Sequence, residues 1–102
     1  MKNKLEVVVR PNPRKRLELK QTLDCLTGIL QDYCSSLMIN ESENGLTITL
    51  LAQWEKSDQM RHTLRSKEFS ILSGAINALC DNTVIRIDDK SAGNDIAKLS
   101  EL

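Results

Sequence analysis

Between Gly45 and Leu79 the residue pattern changes period once, and that change limits the fold more than any other feature of the chain. Leu46, Ile48, Leu50 and Ala52 alternate with Thr47, Thr49 and Gln53, and the run ends at Trp54, the only tryptophan. Alternation of period two after the turn signal Glu43-Asn44-Gly45 predicts a strand. Past Trp54 the spacing becomes helical, and Ser57 and Ser66 each sit where a side-chain oxygen can cap the free N–H groups of a helix start.

The same reading extends to both ends. Leu5 to Arg10 is a first strand, stopped by Arg10-Pro11-Asn12-Pro13, where the prolines remove donors and push the preceding residues out of helical geometry. From about Arg14 to Tyr33 an apolar stripe (Leu19, Leu23, Leu26, Leu30 and Tyr33) follows the i, i+3, i+4, i+7 rule and predicts a long amphipathic helix. Ser36 to Glu41 is a second strand, joined through Glu43–Gly45 to the third. Two helices follow at Asp58 to Leu64 and Lys67 to Asp81, then a fourth strand at Thr83 to Asp88. Residues 89–102 form a polar tail in which Ile96 and Leu99 can dock. This order is that of an α+β, ferredoxin-like βαββαβ domain with a four-stranded antiparallel sheet and its helices on one face. The single domain spans residues 1–102, with its core in 5–88.

The strands keep apolar residues on both faces: Leu5, Val7 and Val9 beside Val8, Ile48 and Leu50 beside Leu51, Ile85 and Ile87 beside Val84. One layer of helices covers one face, so the other is expected to pack on the sheet of an identical subunit.

Composition narrows the function classes. A chain of 102 residues can hold a core without metals or disulfides. Its three cysteines, Cys25, Cys34 and Cys80, lack any CxxC spacing, which argues against a disulfide framework and against zinc. No apolar run approaches the ~20 residues of a membrane span, and charged residues occupy the N-terminal region where a signal peptide would be apolar. A cytoplasmic protein with no membrane partner is expected. Residues 1–20 carry seven basic and two acidic side chains, against seven and twelve in the remainder. The basic run Arg14-Lys15-Arg16 is read as solvated helix surface, because one Tyr, one Phe and one Trp give no aromatic platform for nucleic acid.

Leu64-Arg65-Ser66-Lys67-Glu68-Phe69 and Leu72-Ser73-Gly74-Ala75-Ile76-Asn77-Ala78-Leu79, placed after Trp54, resemble the antibiotic biosynthesis monooxygenase family. Its members often read H-L-R-S-x-x-F-x-x-L-x-G-A-I-x-x-L here, and the resemblance extends more loosely over residues 5 to 93. It implies a dimeric α+β barrel, two ferredoxin-like subunits packed sheet against sheet. It also implies cofactor-free oxidation of a quinol or polycyclic phenol, in which the deprotonated substrate supplies the electrons to oxygen. Other members degrade haem, but the positions of their iron-binding histidine, their tryptophan and their asparagine fall on Ser73, Thr63 and Val9. A serine cannot replace an axial imidazole, so no haem and no other cofactor or metal is expected.

The family histidine of H-L-R-S falls on Thr63, while His62 lies one residue early. One residue is about 100° on a helix, so Met60, Thr63 and Leu64 share a face and His62 points to solvent. Gln53 stands where many relatives carry Glu, which removes a proton acceptor. The candidate substrate pocket is Trp54, Thr63, Phe69, Leu72 and Ser73, with no catalytic residue assigned. The expected function is a monooxygenase-like protein acting on a quinol or related aromatic. The alternative is a non-catalytic dimeric domain of the same fold that binds a ligand or partner.

Overall fold

The computed structural model describes residues 3–101. Its first strand, β1 (Lys4–Pro11), alternates buried Leu5, Val7 and Val9 with more exposed neighbours. The strand ends in a register shift at Arg10/Pro11, where Pro11 lacks the N–H that a continuing ladder needs. Helix α1 (Arg16–Leu30) buries Leu19, Leu23, Leu26 and Leu30, the predicted stripe. A single 3-10 turn, Gln31–Tyr33, follows it. Tyr33, predicted on the stripe, is instead 37 % exposed, because its hydroxyl reaches the surface to donate to Glu68 Oε1 at 3.2 Å.

Strands β2 (Ser36–Glu41) and β3 (Ile48–Gln53) form an antiparallel hairpin whose last pair is Glu41↔Ile48. The connecting turn is therefore longer than Glu43–Gly45. Ser42 N–H donates to Thr47 O, Gly45 N–H to Ser42 O and Leu46 N–H to Asn44 Oδ1. Leu46 leaves the strand as a result and is exposed.

Helices α2 (Ser57–Leu64) and α3 (Lys67–Leu79) follow. Ser66 caps α3 as predicted, its Oγ accepting the Phe69 N–H at 3.1 Å. Ser57 does not cap α2. The capping position falls on Lys56, whose N–H is taken by Gln59 Oε1 at 3.3 Å. Helix α3 ends at Leu79, two residues early, because Leu79 O accepts the Asn12 N–H and Cys80 is already paired with Pro11 in strand β4 (Cys80–Ile87).

The sheet is antiparallel throughout, in the order β2-β3-β1-β4-β5. Its fifth strand, β5 (Lys90–Ser91), adds to the four expected. It forms because Asp88 and Asp89 both take positive φ, 52° and 68°, the backbone of a two-residue type I′ hairpin turn. Asp88 holds that conformation by pairing twice with Lys4: its Oδ1 accepts the Lys4 N–H, and its own N–H donates to Lys4 O, each at 2.9 Å. Farther on, a 3-10 helix (Ile96–Glu101) buries Ile96 and Leu99, so the tail docks as expected.

The core fills the space between the inner sheet face and the three helices. The outer face has two rows in register, Val84–Val8–Thr49–Asn40 and Arg86–Glu6–Leu51–Met38. Val84 and Met38 are exposed there. No helix among the described residues is long and apolar enough to cross a membrane.

Candidate functional site

Trp54 leaves the end of β3 with its backbone N–H on Asn3 O at 3.0 Å. The indole is 3 % exposed. A buried indole N–H needs an acceptor, and Trp54 Nε1–H donates to Thr63 Oγ1 at 2.9 Å. The Thr63 hydroxyl in turn donates to Gln59 O, also at 2.9 Å, the back-bond that threonine commonly makes within a helix. The Thr63 carbonyl accepts both the N–H and the Oγ of Ser66, at 3.1 and 2.7 Å. Thr63 thus links β3 to α2 through its side chain and α2 to α3 through its backbone.

The other candidate residues lie on α3. Phe69 and Leu72 belong to the buried core, and Ser73 is 6 % exposed with its hydroxyl donating to Phe69 O at 3.0 Å. The five residues do not all face one cavity. Thr63 borders a groove of about 350 Å³ shared with Asp32, Tyr33, Asp58, Gln59 and His62. Phe69 and Ser73 border another of about 440 Å³, closed on one side by Ala97 and Ser100 of the tail. Both hydroxyls are committed to helix carbonyls, and no buried side-chain N or O among the described residues lacks a partner. The indole N–H of Trp54 is likewise committed, to Thr63 Oγ1.

His62 is exposed, opposite buried Met60, Thr63 and Leu64, as the helical angle predicts. Its ring lies 6.2 Å from that of Tyr33 at an interplanar angle of 52°. The Glu68 carboxylate that accepts the Tyr33 hydroxyl holds this phenol above its ordinary range. Sequence reasoning missed this Tyr33–His62–Glu68 group. Its residues come from three elements, and Tyr33 resembles one more member of the α1 stripe. Among the described residues, no group of three or more His, Cys, Asp or Glu could hold a metal ion.

No family sequence profile matches the chain, and none of the curated proteins matches it in sequence. Solved structures do match. An antibiotic biosynthesis monooxygenase superposes with a TM-score of 0.76 at 12 % identity, over 84 % of this chain and 95 % of its own. The chain has the antibiotic biosynthesis monooxygenase fold. The protein Rv0793 of Mycobacterium tuberculosis gives 0.75 at 16 % identity, over 88 % and 97 %. A Bacteroides thetaiotaomicron protein described as a "Possible Oxidoreductase" gives 0.74 at 19 %, over 81 % and 90 %. Within this fold Trp54 occupies the junction of strand β3 and the first of the paired helices, α2.

Proposed function

We propose that this chain is a cytoplasmic, homodimeric, cofactor-independent monooxygenase-like protein whose substrate is a quinol or related aromatic. The observation that carries the reading is the structural match to an antibiotic biosynthesis monooxygenase across 84 % of the chain. An aromatic substrate needs an apolar wall and one directed donor for its anion. Phe69 and Leu72 supply the wall, and the indole supplies the donor when Trp54 Nε1–H turns from Thr63 Oγ1 to the substrate oxygen. Ser73 borders the neighbouring groove with Phe69. The chemistry balances without an added reductant. A quinol gives up its two O–H hydrogens and becomes a quinone, one oxygen atom of O2 enters a ring C–H as a hydroxyl, and the other leaves with the two hydrogens as water. The dimer forms through the outer sheet face, where Val84, Val8, Leu51 and Met38 make the apolar surface and Arg86 and Glu6, 3.6 Å apart, the polar part.

A second reading, ligand binding without chemistry, is favoured by one observation: the Thr63 and Ser73 hydroxyls are both spent on helix carbonyls, so neither is free to take a proton from a substrate. Oxygen uptake with a panel of quinols separates the two. The oxygenase reading expects uptake that Trp54→Ala abolishes and Thr63→Ala reduces. No uptake above buffer across the panel removes it, and saturable quinol binding without uptake establishes the second reading.

A further inference from the structure

At the end of β3 opposite Trp54, the β1–α1 connection, the β2–β3 hairpin and the α3–β4 junction enclose a groove of about 450 Å³. This is the size of a small-molecule site. Pro11, Pro13 and exposed Leu46 supply apolar surface, and Arg10, Arg16, Asp81 and Asn82 supply charge and polarity. Among the described residues Arg10 has no hydrogen bond or ion pair for its guanidinium. Asn82 Oδ1 accepts the Thr83 N–H at 2.9 Å, which leaves the Asn82 NH2 as a donor. Asp81 is engaged by Asn12 Nδ2 at 3.4 Å.

Arg16 is held at the rim by its ion pair with Glu41, a carboxylate that also takes Lys20 at 2.9 Å. It can lie there because residue 45 is glycine. A Cβ at Gly45, where φ is +70°, would fall 2.5 Å from Arg16 Nη2. With the ion-paired Glu41 and Lys20 included, Arg10, Arg16 and Lys20 stand against Asp81 and Glu41, three cations against two anions. The one net positive charge beside an apolar wall selects a monoanion. The one guanidinium without a partner offers the planar fork that matches a carboxylate.

We propose that this groove binds a small organic monoanion with an apolar body, an aryl carboxylate or close relative. Its carboxylate lies on Arg10 and the Asn82 amide, and its body lies against Pro13 and Leu46. The site is independent of the Trp54 pocket and of any oxygenase activity there.

The test is a proton–nitrogen NMR titration of the full chain with sodium 1-naphthoate, beside neutral 1-naphthalenemethanol. The expected result is saturable shifts centred on the Arg10, Leu46 and Asn82 amides, with the alcohol at least fivefold weaker. Arg10→Gln, an exposed substitution, is expected to weaken naphthoate at least fivefold while leaving the rest of the spectrum in place. Gly45→Ala is expected to weaken it as well by displacing Arg16. Absence of saturation at those amides, shifts centred on Phe69 and Ser73 instead, an equally tight alcohol, or less than fivefold loss in Arg10→Gln each overturns the proposal.

Discussion

Trp54 and Thr63 are nine residues apart in sequence and joined by a buried hydrogen bond of 2.9 Å that ties the end of strand β3 to helix α2. Thr63→Val keeps the shape and removes the acceptor, leaving a buried indole N–H unsatisfied. We expect a loss of about 1–3 kcal/mol, read from urea unfolding at constant m-value. In Trp54→Phe/Thr63→Val, the second substitution is expected to cost less than it does alone. Strict additivity would mean the bond contributes nothing.

Ser66 and Ser57 look alike in sequence and differ in the fold. Ser66→Ala removes the acceptor of the Phe69 N–H and should cost about 1 kcal/mol, with Ser66→Asp restoring most of it. Ser57→Ala, which removes no cap, should stay within about 0.5 kcal/mol. Equal effects at the two serines, compared by thermal unfolding, would contradict the assignment.

Burial pushes the Cys34 thiol up to about 11, and burial together with the Asp81 charge does the same for Cys80. At pH 8 iodoacetamide is expected to alkylate exposed Cys25 well before these two, as followed by peptide mass spectrometry. The linkage has a definite sign. An acid whose folded pKa is raised stabilises the fold fully below the unfolded value near 9, and that contribution is lost as pH rises toward about 11. Replacing both residues with Ala should flatten this alkaline fall. An unchanged pH slope between 9 and 11 would refute the shifts.

If the outer sheet face joins two subunits, a charge placed in its centre separates them. Light scattering at micromolar concentration is expected to give twice the chain mass for the wild type and a single chain mass for Val8→Glu. A monomeric wild type would end the dimer proposal.

Much of this arrangement was legible because burial and periodicity coincide in it. The Leu19–Leu23–Leu26–Leu30 stripe, the alternation in β1 and β3, the Ser66 cap and the outward His62 all follow from residue spacing. What escaped depended on partners distant in sequence. Tyr33 is drawn outward by Glu68, 35 residues on. Asp88 turns left-handed because Lys4, 84 residues earlier, engages both its carboxylate and its N–H. The groove beside Arg10 joins three loops whose closeness no local pattern encodes.

The Asp88–Asp89 turn has a consequence for crowded solutions. By folding β5 back onto β4, with further bonds donated by Ala92 N–H to Ile85 O and by Ile85 N–H to Gly93 O, it occupies the stretch Ile85–Ile87 of an outer strand. That stretch would otherwise present open donors and acceptors to any passing chain. The reversal works as a stopper against edge-to-edge pairing on this side of the sheet, made from two aspartates and a short run of backbone.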